Sequence, residues 1–143
     1  MIGLDTTFLI ELEFEGIKGH SSAVSYLRNI LLAGMDKPAI SALVLPEFIH
    51  TATDSKRFSQ ALTSAKALAV AERWWHSEEV MKIYPSEESV QLSLRWMQEY
   101  RLGRKRTTDT FLAASYYAAG VTRILSTNAR DYSVFGCFEV ITP

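Results

Sequence analysis

The sequence predicts an α/β fold of three layers, α/β/α, around a central, mainly parallel sheet. Three observations carry this expectation. Short apolar runs alternate with amphipathic stretches of helical period. Capping and stopping residues fall between them. No repeat, low-complexity tract or flexible linker interrupts the series. Parallel neighbours need crossovers, and helices supply them on both faces of the sheet.

Taken in order, Ile2 to Leu4 is a first apolar run ending in Asp5. Ser21 or Ser22 can cap a helix in which Val24, Leu27, Ile30 and Leu31 recur at helical spacing, and Gly34 suits its left-handed stop. Pro38 to Ser41 is a second strand. From about Leu45 to Trp75 two consecutive helices are expected, broken near Thr53 and Asp54, with Phe58, Leu62, Ala65 and Ala69 on one face. Pro46 constrains their start. It removes a backbone donor, so the helix begins near Leu45 or has an irregular first turn.

Val80 to Tyr84 reads as a third strand stopped by Pro85, after which Ser86 can cap a helix carrying Val90, Leu94 and Met97. Gly103 is the expected end of that helix. Thr107 or Thr108 can cap the next, with Phe111, Leu112, Ser115, Tyr116 and Ala119 on one face and Gly120 at its end. Thr122 to Ser126 and Phe138 to Ile141 complete the strands.

The 143 residues are 48% hydrophobic and 22% charged, enough for one core and too few for two ordinary domains, so residues 1–143 are expected to form one domain. Apolar stretches such as Ile40 to Leu45 are broken well before the roughly 18 residues of a membrane span. The opening residues lack the pattern of a secretory signal, and Cys137 is the single cysteine. A cytoplasmic protein is the expectation. A net charge of −1 gives no broad positive field, so nucleic acid would have to be met by a local patch. Arg101, Arg104, Lys105 and Arg106 form one candidate, to be weighed against a plain solvated turn. His20, His50 and His76 share no metal-ligand spacing and read as surface or helix-end residues. Of Trp74 and Trp75, one is expected in the core and the other is free for a partner or dimer mate.

In an open α/β sheet ligands gather outside the carboxyl ends of the strands. Four acids fall there: Asp5 after the first strand, Glu47 early in the helix after the second, Asp109 in a first helical turn, and Asp131 after the strand Thr122 to Ser126. Each has another use. Asp5 can make an Asx turn or cap a helix, Glu47 can be a solvated helix residue, Asp109 can complement a helix dipole, and Asp131 can pair with Arg130. Together they offer the hard oxygen ligands that Mg²⁺ or Mn²⁺ prefers.

The segments around these acids resemble those of PIN domains. LDTTFLIE, Leu4 to Glu11, is similar to the family's opening strand ending in Asp and followed by Thr6 and a short apolar helix. SALVLPEF, Ser41 to Phe48, resembles the segment in which a Ser or Thr caps a helix with an acid inside it. TTDTFLAAS, Thr107 to Ser115, and STNARDY, Ser126 to Tyr132, resemble the third and fourth. The four stand in family order and span nearly the whole chain. The resemblance implies a PIN-like fold and a Mg²⁺- or Mn²⁺-dependent endoribonuclease. Asp5 and Asp109 are then metal ligands, Glu47 and Asp131 further catalytic acids, and Thr6, Ser41, Ser126 and Asn128 supporting residues. Asn128 or Asp131 completes the site. Arg104, Lys105 and Arg106 precede the helix of Asp109 and would hold RNA phosphates beside the cut. Similar small proteins are toxins of VapBC-type toxin–antitoxin pairs, which implies an antitoxin partner and leaves a homodimer open.

Two other readings remain. One is a degenerate PIN module that only binds RNA or assembles, against which the joint presence of Asp5, Glu47 and Asp109 counts. The other is a phosphatase or phosphotransfer domain. It is weaker because position 7 is Thr7 rather than a second Asp, and no Lys follows the strand Thr122 to Ser126.

Overall fold

Five short strands, β1 (Ile2–Leu4), β2 (Pro38–Ser41), β3 (Met81–Ile83), β4 (Arg123–Leu125) and β5 (Glu139–Ile141), pair in the order β3-β2-β1-β4-β5. All four pairings are parallel. The computed structural model describes residues 1–143. Between the strands lie α1 (Thr6–Glu13), α2 (His20–Tyr26), α3 (Val44–Ala52), α4 (Ser64–His76), α5 (Glu87–Glu99), α6 (Thr107–Ala118) and α7 (Arg130–Ser133). Helices α1 to α4 pack among themselves, as do α5 to α7, giving one helical layer on each face. The expected α/β/α arrangement is present, and its sheet is entirely parallel.

Burial on both faces explains why the strands read as unbroken apolar runs rather than alternating ones. Ile2, Leu4, Ile40, Ile124 and Leu125 are fully buried and join Phe8, Phe48, Leu112 and Tyr116 in one core. Gly3 in β1 lets α6 approach: a Cβ there would lie 2.9 Å from both Ile124 and the Tyr116 ring. The Tyr116 hydroxyl donates to the Leu4 carbonyl at 2.5 Å and accepts from the Ser41 N–H at 3.2 Å, tying β1 to β2 beneath their carboxyl ends.

Strand order reverses between β1 and β4, since the chain first winds from β1 to β3 and then crosses back to β4. The carboxyl ends of these two neighbours therefore flank the crevice in which such sheets bind ligands.

Several boundaries differ from the sequence reading. Helix α2 begins at His20 behind Gly19 with no side-chain cap, so neither Ser21 nor Ser22 caps it, and a π-helical turn over Leu27–Leu31 extends it. Gly34 does take a left-handed conformation, with φ of 70°. Helix α3 starts at Val44, which places Pro46 third in the helix, where its missing N–H would have had no intrahelical partner. The following helix begins only at Ser64, capped by Thr63. Phe58 and Leu62 thus belong to a loop rather than a helical face, and Phe58 stacks on Phe14 at 4.1 Å.

Ser86 caps α5 in a reciprocal box with Ser89. The buried face of that helix is Ser89, Ser93 and Trp96, one position away from the expected Val90, Leu94 and Met97; Val90 and Leu94 are exposed. Small serines let α5 pack closely on α6, and the Ser93 hydroxyl satisfies itself on the Ser89 carbonyl at 2.7 Å. Helix α5 ends at Glu99, and Arg101 rather than Gly103 takes positive φ, at 51°. A 3₁₀ turn over Arg104–Arg106 leads into α6, so neither Thr107 nor Thr108 is its cap, whereas Gly120 ends it with φ of 77° as expected.

Candidate active site

Asp5 is the first residue beyond β1 and the N-cap of α1: one carboxylate oxygen accepts from the Thr6 N–H at 2.9 Å. The other accepts from the Thr7 hydroxyl at 2.9 Å and the Ser126 hydroxyl at 2.5 Å. Capping and site membership are therefore not alternatives for Asp5. Three neutral donors and the positive end of α1 hold a carboxylate that is only 7% exposed. Ser126, buried at the end of β4, also receives the Asn128 N–H at 3.0 Å, so it links Asp5 to the loop before α7.

Glu47 lies in the first turn of α3 and accepts from the Thr6 hydroxyl at 2.9 Å. Burial foremost pushes its pKa up; the Thr6 hydrogen bond opposes this, while Asp5 and Asp131 add to it. Asp109 stands in the first turn of α6. Its pKa is pushed up to about 6, first by burial and then by the charges of Asp131, Glu47 and Asp5, against the pull of Arg106. Asp131, in α7, is raised by burial and by Asp5, and lowered by Arg106 and by the Asn128 amide that donates to it.

A cavity of about 450 Å³ joins these groups, with Asp5, Glu47, Asp109, Asn128 and Asp131 all in its wall. Asn128 and Asp131 are thus present together, side chain to side chain. Ser41 lies below the cavity instead. It is fully buried, bonded to the Ser115 hydroxyl at 3.0 Å and to the Leu43 N–H at 3.3 Å, and α3 begins without it as a cap.

The basic cluster divides. Arg106 does not line the cavity but turns to two of its acids from behind, donating to the Asp131 carboxylate at 2.9 Å and standing 3.8 Å from Asp109. Arg104 and Lys105 are exposed and do not line the cavity.

Two charged cavity residues, and the Thr7 that donates to Asp5, escaped sequence reading. Glu11 lies one helical turn beyond Thr7, so their spacing of four residues on α1 was a usable signal. Its pKa is raised by burial, and one of its carboxylate oxygens has no donor. Arg57 comes from the loop between α3 and α4, and no spacing rule places it there.

The donor set suits a hard divalent cation. Carboxylates, hydroxyls and an amide face one cavity, and the charges of Asp131, Glu47 and Asp5 add to the burial that raises Asp109, a repulsion that a cation would relieve. No three acids are drawn together at ligand spacing. Such a site fits an ion held by one or two carboxylates and water, the manner Mg²⁺ favours.

Comparison with solved structures is decisive for the architecture. VapC20 of Mycobacterium tuberculosis, described as a Sarcin-Ricin loop cleaving toxin, superposes with a TM-score of 0.76 at 19% identity over 100% of both chains. The fold is that of VapC toxins. The same PIN-like fold is found in VapBC2 from Rickettsia felis bound to a fragment of promoter DNA, with a TM-score of 0.71 at 15% identity over 100% of this chain and 99% of that one. FitAcB from Neisseria gonorrhoeae matches with a TM-score of 0.66 at 15% identity over 99% and 96% of the two chains. No family model and no curated protein matches the sequence. No helix is long and apolar enough to cross a membrane.

Proposed function

We propose that this chain is a Mg²⁺- or Mn²⁺-dependent endoribonuclease and the toxin of a VapBC-like toxin–antitoxin pair. The observation that carries the reading is the convergence of Asp5, Glu47, Asp109 and Asp131 on one cavity at the reversal point of a PIN-like sheet. The solved structures of the same fold support the biological side, since one is described as a Sarcin-Ricin loop cleaving toxin and another as a toxin–antitoxin complex. A matching antitoxin peptide is a proposed partner on the same basis.

A bound divalent ion supplies Lewis acidity, making water nucleophilic near neutral pH and offsetting charge on the phosphate. Asp5 and Asp109 would hold it. Asp5 is fixed by Thr6, Thr7 and Ser126, so its orientation is set before any ion arrives. Glu47, held by the Thr6 hydroxyl and raised in pKa by burial, is the carboxylate left to accept a proton from the attacking water. Attack at phosphorus breaks the bond to the ribose 3′ oxygen, leaving a 5′ phosphate and a 3′ hydroxyl.

The test is cleavage of single-stranded RNA by the purified protein in Mg²⁺ or Mn²⁺, with EDTA and Asp5→Asn as controls. Metal-dependent products carrying 5′ phosphate are expected. Undiminished cleavage in EDTA, or by Asp5→Asn, would defeat the proposal. A binding-only module would instead retain RNA affinity with no cleavage in any metal.

A further inference from the structure

Beside the carboxylate cavity lies a second one of about 590 Å³, and the two share Ile17, Arg57 and Phe58 in their walls. Arg57 therefore stands at their junction. It is exposed and forms no ion pair, whereas Arg73, Arg106 and Arg123 are each bound to acids. Its charge still reaches the site, where it weakly opposes the rise that burial gives the Glu47 pKa.

An aromatic ring, rather than an acid, lies beside the Arg57 guanidinium. Its guanidinium carbon lies 5.8 Å from the Phe58 ring centroid, and Phe58 stacks on Phe14 with an interplanar angle of 20°. The loop backbone beneath is closed by the Arg57 and Phe58 N–H groups on the Asp54 carbonyl, at 3.1 and 3.0 Å, and by the Leu62 N–H on the Ala52 carbonyl at 2.8 Å. The guanidinium keeps its donors uncommitted, and its planar fork matches a phosphate.

We infer that Arg57, carried on the Phe14 and Phe58 rings, grips the phosphate next to the scissile one in single-stranded RNA and directs the flanking nucleotide into the second cavity. The inference rests on the nuclease reading above. The strand leaves the carboxylates along this wall. Ser59, Gln60 and Lys66 line the receiving cavity and offer polar contacts to a base and a further cation. Glu13 and Glu15 also line it; Glu13 is engaged by Arg73 at 2.7 Å, and Glu15 is exposed at its rim.

The test compares wild type with Arg57→Gln, Arg57→Lys and Phe58→Leu, using a fluorescent single-stranded RNA oligonucleotide. Steady-state cleavage in Mn²⁺ and anisotropy titrations over a salt series in EDTA are the readouts. Arg57→Gln is expected to raise KM about five- to tenfold with kcat within about twofold of wild type. Its binding should lose about 0.7 from the slope against log salt, the share of one phosphate on a single strand. Arg57→Lys should restore the slope and part of the KM, and Phe58→Leu should raise KM while keeping the slope. The Mn²⁺-induced rise in Tm should be the same in all four proteins, which separates strand binding from damage to the metal site. A wild type that cleaves RNA beside an Arg57→Gln protein of unchanged KM and salt slope overturns this inference and spares the nuclease reading. A wild type that neither binds nor cleaves RNA overturns both.

Discussion

Arg106 grips Asp131 twice, through one guanidinium nitrogen on the carboxylate at 2.9 Å and another on the backbone carbonyl at 2.6 Å. The same side chain reaches to 3.8 Å from Asp109, so a single cation of the chain fastens α7 to the start of α6 and offsets two of the site's acids. Arg106 thereby compensates part of the charge that a divalent ion would otherwise have to balance.

From this arrangement follow two effects of opposite sign for Arg106→Met. Without metal the variant should be less stable by about 1–2 kcal/mol, because a half-buried pair and a backbone hydrogen bond are lost. Its affinity for Mn²⁺ should nevertheless rise several-fold, since a positive charge beside the site is gone. Urea denaturation in EDTA and isothermal titration with Mn²⁺ measure the two; weaker Mn²⁺ binding would mean that Arg106 serves the site only by holding its shape.

Asp109 sets a pH dependence whose sign can be worked out. An unfolded aspartate titrates at its usual 3.8, whereas in the fold Asp109 titrates at about 6. Between these values the native state binds more protons than the unfolded one, so stability falls as pH rises through the window. Below it the penalty is absent, and above it the penalty is complete. In EDTA, Asp109→Asn should therefore match wild type near about pH 4 and melt higher at about pH 7. A variant that melts lower at neutral pH would show that Asp109 serves chiefly the dipole of α6.

Tyr116→Phe separates support from chemistry. It removes the hydroxyl shared by the Leu4 carbonyl and the Ser41 N–H and leaves a buried donor unpaired, at a cost of about 1–3 kcal/mol. Because Tyr116 lies beneath the site and touches none of its acids, the folded variant should keep its Mn²⁺ response and cleavage rate. Denaturation curves paired with RNA assays below the melting point check both halves.

Arg104 and Lys105 are the members of the basic cluster that remain free for RNA. Changing both to Gln should flatten the salt dependence of RNA binding by about 1.4 if each neutralises one phosphate of a single strand. Stability should stay within about 0.5 kcal/mol of wild type, as both are exposed. An unchanged slope would return them to a solvated turn.

Sequence alone determined the layered architecture and which acids fall just beyond strand ends. Strands buried on both faces must be apolar throughout, and crossover helices must show a 3.6-residue period, so β1 to β5 and most helices were legible within a few residues. Asp5, Glu47 and Asp109 could be placed because acids just beyond strand ends occupy positions defined by the local chain. Tertiary structure alone decided which face of α5 is buried. Two serines permit a closer approach to α6 than Val90 and Leu94 would, and packing distance is invisible to periodicity. The partners of Asp131 and the place of Arg57 were decided in the same way. Arg106 meets Asp131 across 25 residues, and Arg57 reaches the cavity from a loop held by aromatic stacking. Contacts between distant segments depend on how the layers close, and no local pattern in the chain encodes that closure.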